Sequence, residues 1–125
     1  MHTDARDLEN GTVLEGDLCI VGAGAAGISM ALDWVDSGHR VLLLEGGGFD
    51  LEPEIQSLYE GEVVGRDYYA LQAARIHFFG GTTNHWSGWC APLDPIDFEH
   101  RPWVPHSGWP ISRSDLDAYY TRAQE

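Results

Sequence analysis

Apolar residues are spread unevenly along this chain, and three stretches carry a pattern that assigns them an element. Asp17-Leu18-Cys19-Ile20-Val21 places four apolar residues in a row without alternation. That is the pattern of a parallel strand covered on both faces, in which Cys19 is a small buried hydrophobe. From about Ala25 to Ser37 the apolar positions Ile28, Ala31, Leu32 and Val35 recur at i, i+3, i+4 and i+7, one face of a helix. Ser29, Asp33 and Asp36 fall on the other face. Gly38 is placed to stop the helix in the left-handed conformation that costs glycine little. Arg40-Val41-Leu42-Leu43-Leu44 reads as a second buried strand, ending at Glu45. Strand, helix and strand within about thirty residues form a βαβ unit, so the chain is α/β in class.

The pattern weakens on either side of that unit. Residues 1–15 are polar and read as a loose lead-in, leaving 16–125 as the structured part. Positions 46–65 read as mostly irregular, and Tyr68 to Ile76 as a short helix or strand. Positions 80–108 are rich in Gly, Pro and Trp, which predicts an ordered loop pinned by aromatic burial. A C-terminal helix begins at Ser112, capped by Ser112 or Ser114, with Leu116, Tyr119 and Tyr120 as its apolar face. No internal repeat is present.

Charge narrows the possible partners. The chain has 125 residues and a formal net charge of −13, and its seven cationic side chains are all Arg. Nucleic acid is excluded as a partner, because phosphate recognition needs a cationic footprint. An anionic membrane surface is disfavoured on the same ground. The apolar stretch Leu18–Leu32 is short for a membrane span and carries three glycines, and the N-terminus lacks a basic run followed by an apolar stretch. These features predict no membrane insertion and a cytoplasmic location. Cys19, Cys90 and the six histidines show no metal-ligand spacing, so no metal is expected.

The candidate chemistry begins at Gly22-Ala23-Gly24-Ala25-Ala26-Gly27, a G-x-G-x-x-G between the first strand and the helix. Gly22 permits the turn, Gly24 lets a pyrophosphate approach the backbone, and Gly27 lets helix and strand pack closely. The free N–H groups of the helix start attract phosphate charge. Glu45 closes the second strand about 20 residues further on, where a carboxylate accepts a ribose hydroxyl. The unit is therefore a Rossmann-like dinucleotide cradle, incomplete in its strands. NAD and FAD both present an adenosine diphosphate to such a cradle, which does not separate them.

A second glycine motif, Gly80-Gly81-Thr82-Thr83-Asn84-His85-Trp86-Ser87-Gly88, bears on that choice. Paired glycines followed by hydroxyls, an amide and an imidazole suit a polar cofactor against the backbone. They also suit a structural loop that satisfies its own turns. Taken together, the segments resemble the glucose-methanol-choline family of FAD-dependent oxidoreductases. Leu18 to Gly27 resembles its first strand and turn, and Leu42-Leu43-Leu44-Glu45-Gly46-Gly47 its second strand. Gly80-Gly81-Thr82-Thr83-Asn84 resembles its Gly-Gly-Ser/Thr signature along the flavin. Pro92-Leu93-Asp94-Pro95, Ser107-Gly108-Trp109-Pro110-Ile111 and Asp115-Leu116-Asp117-Ala118-Tyr119-Tyr120 look like the bacterial sugar and polyol dehydrogenase branch.

The resemblance implies an FAD-binding N-terminal portion of an enzyme that oxidises an alcohol group of a sugar or polyol by hydride transfer to flavin N5. It places Gly22, Gly24, Ala25, Ala26, Gly27, Glu45, Gly46, Gly81, Thr82, Asn84 and His85 at the cofactor, and Arg75 either at the cofactor phosphate or flavin or in a surface ion pair. A similar His-Trp pair in the pyranose oxidase and fructose dehydrogenase branches makes His85 the candidate for a covalent 8α-histidyl flavin link, the alternatives being a non-covalent contact or a packed histidine. Trp86, Trp89, Trp103 and Trp109 either line a sugar site or pack in a core. The family's catalytic acid/base pair lies near the C-terminus of a much longer chain, so none of these residues is assigned that role. The 125 residues alone are expected to be inactive as a dehydrogenase. Two other readings stand beside this one: an NAD-binding module of a dehydrogenase, and a truncated fragment that at most binds a nucleotide.

Overall fold

Two apolar runs pair as parallel strands, β1 (Leu18–Val21) and β2 (Val41–Leu44), in the computed structural model, which describes residues 1–125. The register sets Leu18 opposite Val41 and Val21 opposite Leu44. It is fixed at the entry, where the N–H groups of Asp17 and Leu18 donate to the Arg40 carbonyl and the Asp17 carboxylate accepts the Arg40 N–H at 2.7 Å. It is fixed again at the exit, where the Gly22 N–H donates to the Leu44 carbonyl at 2.7 Å. Helix α1 (Ala25–Leu32) makes the connection. The result is a mixed fold around a short two-stranded parallel sheet, a small α/β arrangement.

Burial along β1 alternates, and this corrects the expectation of strands covered on both faces. Ile20 is buried, whereas Cys19 and Val21 are exposed. Successive side chains of a strand point to opposite faces, and α1 covers the face that Ile20 shares. Cys19 therefore lies on the open side and is no buried hydrophobe. β2 is half-buried over Val41–Leu43 and exposed at Leu44. The buried hydrophobic residues are Ile20, Ala23 and Ile76.

Helix α1 is also shorter than its sequence pattern predicts. After Leu32 the N–H groups of Trp34, Val35 and Ser37 bond three residues back, to Ala31, Leu32 and Trp34. Ile28 and Ala31 turn inward, while Leu32 and Val35 are exposed. Without a partner beneath the last turn, packing does not offset the weak helix preference of Asp33 and Val35, and the backbone tightens. Gly38 does take the left-handed conformation, at φ 80°.

The chain divides into two units, Met1–Trp86 and Ser87–Glu125. In the first, positions 46–65, read as mostly irregular, carry α2 (Pro53–Gln56) and a 3-10 turn at Ser57–Tyr59, the short helix expected within Tyr68 to Ile76 forms as α3 (Leu71–Ala74), and a 3-10 turn follows at Gly81–His85. The lead-in is tied down as well. Ala5–Asp7 form a 3-10 turn, and Arg6 bonds Asp4 at 2.7 Å and Glu52 at 3.1 Å. The Arg6 side chain, followed by its backbone N–H, holds the Asp4 carboxyl down at about 2.

In the second unit, α4 (Pro95–Phe98) starts with a capping box between Asp94 and Asp97. A 3-10 turn at Arg113–Leu116 carries another, between Ser112 and Asp115, and leads into α5 (Asp117–Ala123). Arg113 reaches the Leu93 carbonyl, pairs with Asp117 and lies over the Tyr120 ring, whose hydroxyl accepts the Leu93 N–H. Aromatic burial does not pin this region. Trp89 is 92% exposed, and Trp103 and Trp109 are exposed too. The unit holds its path through caps and hydrogen bonds, because its own residues are too few to cover the indole rings. No helix of the chain is long and apolar enough to cross a membrane.

Candidate functional site

The site forms where the two glycine motifs meet. Gly22 leaves β1 at φ 99°, a left-handed conformation that glycine adopts freely. The chain then enters α1 through Gly24, which supplies the extended N-cap position. The N–H groups of the first helical turn have no partner within the helix and are free for an anion. Gly27 is required by packing, since a Cβ there would strike the Gly22 carbonyl oxygen and meet Ile20 Cγ2 at 3.4 Å. Gly80, at φ 91°, turns the second motif so that its N–H donates to the Ala23 carbonyl at 2.8 Å. A Cβ on Gly81 would lie 3.3 Å from the Cα of Gly24. Backbone of the second motif thus rests on backbone of the first.

Glu45 braces this junction. One carboxylate oxygen accepts the Ala23 N–H at 2.7 Å, and the other accepts the N–H groups of Gly46 at 2.9 Å and Gly47 at 3.1 Å. An ionised carboxylate offers about four lone-pair sites, so capacity remains for a ligand hydroxyl. Its side chain is 16% exposed, and the Nε2 of His77 lies 3.8 Å from its Oε1. His77 in turn stacks on Tyr59, with ring centroids 4.9 Å apart and planes at 23°. Thr82 Oγ1 accepts the Ile76 N–H at 3.3 Å, and Thr83 donates its hydroxyl to the Gly80 carbonyl.

These groups line a cleft of about 610 Å³, within the ~300–1,000 Å³ range of small-molecule sites. Gly22, Gly24, Glu45, Gly46, Gly81 and Thr82 all face it, far apart in sequence but brought together by the fold. The other sequence candidates stand elsewhere. Ala25 and Ala26 are exposed in the first turn of α1, and Gly27 packs against the Gly22 turn. The Asn84 amide donates to the Phe79 and Gly81 carbonyls, which closes the 3-10 turn. His85 is exposed at the end of that turn, and Arg75 is exposed after α3.

The cleft also uses Val21, Leu44, Tyr59, Ile76, His77 and Phe78, which the sequence reading passes over. Val21 and Leu44 end strands already recognised, so their place at the mouth follows from strand polarity. For His77 and Tyr59 the one sequence signal is position, His77 lying three residues before the second glycine pair. Gly46 and Gly47 admit His77 at close range. A Cβ at Gly46 would come within 2.6 Å of His77 Nε2, and one at Gly47 would strike the His77 carbonyl oxygen. No three metal-ligating side chains come together anywhere in the chain.

Two curated proteins are similar to this chain. The chain is 30% identical over 118 residues to 6'''-hydroxyparomomycin C oxidase of Streptomyces lividus. It is 28% identical over 127 residues to 2-methyl-1,2-propanediol dehydrogenase of Mycolicibacterium austroafricanum. Each match covers 83% of this chain but only 21% and 23% of the respective relative. The chain therefore spans about a fifth of the length of the curated relatives it matches. No family model matches it, and no solved structure does.

Proposed function

We propose that this chain is the FAD-binding portion of a glucose-methanol-choline-type oxidoreductase that oxidises an alcohol group of a sugar or polyol. One observation carries the reading: both glycine motifs and Glu45 line a single cleft, joined by the hydrogen bond from the Gly80 N–H to the Ala23 carbonyl. A cradle for NAD alone would give the second motif only its structural part, closing its own turn and resting on the first motif. The relatives add weight from another side, because one is named for a diol and the other for a hydroxylated compound.

The residues suit the cofactor. Gly22, Gly24 and the start of α1 (Ala25, Ala26) offer backbone N–H groups to the pyrophosphate, while Gly27 holds that helix start against the turn. Glu45 and Gly46 take the ribose, and the carboxylate that accepts its hydroxyls would repel a 2′-phosphate. Gly81 and Thr82 border the same cleft, and Asn84 fixes the turn that follows. Arg75 is the cation nearest in sequence for cofactor phosphate or flavin, and His85 is the candidate for covalent attachment. When bound, FAD supplies the hydride acceptor. The chain's own residues bind and orient it, and none of them is assigned as the base that takes the hydroxyl proton. A Rossmann-type sheet is part of the same proposal.

Titration with FAD and with NADH, each followed by its own fluorescence, tests the reading. FAD emission should change on binding while NADH emission does not. A response to NADH alone would replace the flavoprotein reading with the NAD-module one, and silence from both would leave only common ancestry. Acid denaturation then decides the role of His85: yellow colour that precipitates with the protein supports the covalent link, and colour left in solution removes it.

A further inference from the structure

We infer that Tyr59 and His77 form the adenine-binding wall of the cleft. The inference rests on the cofactor reading above and adds which side chains meet the base. His77 Nε2 stands 3.8 Å from the carboxylate assigned to the ribose, so a base attached to that ribose falls within reach of the rings. Tyr59 and His77 already stack on each other in near-parallel planes, and both face the cleft. A purine in the cleft would meet these two rings. The cleft lining also includes Val21, 82% exposed, and Leu44, 44% exposed, two apolar side chains that a flat base would cover.

The hydrogen bonding of His77 supports a contact role over a structural one. Its Nδ1 is buried and has no hydrogen-bond partner, and its Nε2 is beyond hydrogen-bonding distance of Glu45. The ring is therefore placed by its faces. Tyr59 covers one of them, and the absence of side chains at Gly46 and Gly47 lets the ring approach the end of β2.

The test uses 1,N6-etheno-ADP, whose emission responds when its base stacks on an aromatic ring. The intact protein should bind it with a change in emission. Tyr59→Ala and His77→Ala should each weaken binding roughly five- to hundredfold, the range for loss of one base–aromatic stack. Tyr59→Phe and His77→Phe, which keep the ring, should bind within about twofold of the parent. Inorganic pyrophosphate, used as competitor, should displace the probe from the parent and the alanine variants with the same inhibition constant, because the glycine cradle is untouched. Unchanged etheno-ADP affinity in both alanine variants would overturn the inference and leave the cofactor reading standing. Equal weakening of pyrophosphate would overturn it as well, by showing that the rings only support the cradle. Loss of affinity in His77→Phe equal to that in His77→Ala would do the same, since the nitrogens and not the ring face would then matter. Failure of the parent to bind either ligand would overturn both readings.

Discussion

Replacing Gly27 by alanine sets two effects of opposite sign against each other. Position 27 lies inside α1, where glycine is the poorer helix former by about 1 kcal/mol relative to alanine. Propensity alone therefore expects Gly27→Ala to stabilise the protein. The geometry opposes it, because the added methyl would meet the carbonyl oxygen of Gly22, a backbone atom held in place by the Gly22 N–H bond to Leu44. Neither atom is the end of a flexible side chain. The helix must move off the sheet, taking Ile28 and Ala31 with it, or the turn must open.

Forced overpacking of this kind costs about 1–3 kcal/mol, and a backbone obstacle places it toward the upper end. Less the propensity gain, a net loss of about 1–2 kcal/mol remains. For a unit of this size each kcal/mol shifts the midpoint by about 4–8 °C, so thermal unfolding by far-UV circular dichroism should show a fall on the order of 10 °C. A midpoint equal to or above that of the parent would refute the reasoning. It would mean that α1 and the glycine turn are not in the contact described, and the cradle would lose its structural basis.

Gly24→Ala should behave in the opposite way, because a Cβ there meets nothing within 4 Å. Its unfolding midpoint should stay within a few degrees of the parent while FAD affinity, read by fluorescence titration, falls about tenfold or more; a large stability loss would contradict this. Glu45→Gln should lower stability by about 1–3 kcal/mol in urea unfolding, because an amide NH2 would replace an oxygen that now accepts backbone N–H groups. An unchanged urea midpoint would show that the brace contributes nothing. Asp4, held at about 2 against an ordinary 3.8, has its pKa depressed by folding. Its contribution to stability is therefore fully present above pH 3.8 and is lost as pH falls through about 2. An NMR titration of Arg6→Gln should move the Asp4 carboxyl back toward 3.8, and an unmoved value would exclude Arg6 as the cause.

Local features of this chain were legible because their causes are local. Unbroken apolar runs at Leu18–Val21 and Val41–Leu44, a 3.6-residue period between them and glycines at a fixed interval give strand, helix, strand and turn without reference to anything distant. The parallel pairing of β1 and β2 followed, as did a helical segment starting just after Ser112. Burial was misjudged at Cys19, Val21 and the tryptophans for a common reason. An apolar residue declares that it can be covered, but whether it is covered depends on which surface the fold brings to it. With two strands and one helix there is no second layer over Cys19 and Val21. The same limit shortened α1, whose last apolar positions have nothing to pack on.

The cleft illustrates how far pattern reading reaches into a site. Gly22, Gly24 and Glu45 declare themselves because a dinucleotide cradle, as proposed for this cleft, would demand particular residue types at set distances. Gly81 and Thr82 declare themselves through a motif. Tyr59 and His77 follow no such rule, since an aromatic wall requires only a ring at the right place and any loop can deliver one. What brings them in is the absence of side chains at Gly46 and Gly47, which in the sequence looks like the tail of the strand motif. Those glycines let the His77 backbone and ring lie against the end of β2 beside Glu45. The Glu45-Gly46-Gly47 run thus does two jobs, presenting a carboxylate and making room for an imidazole. The second job is visible only once residues more than thirty positions apart in the chain are seen in contact.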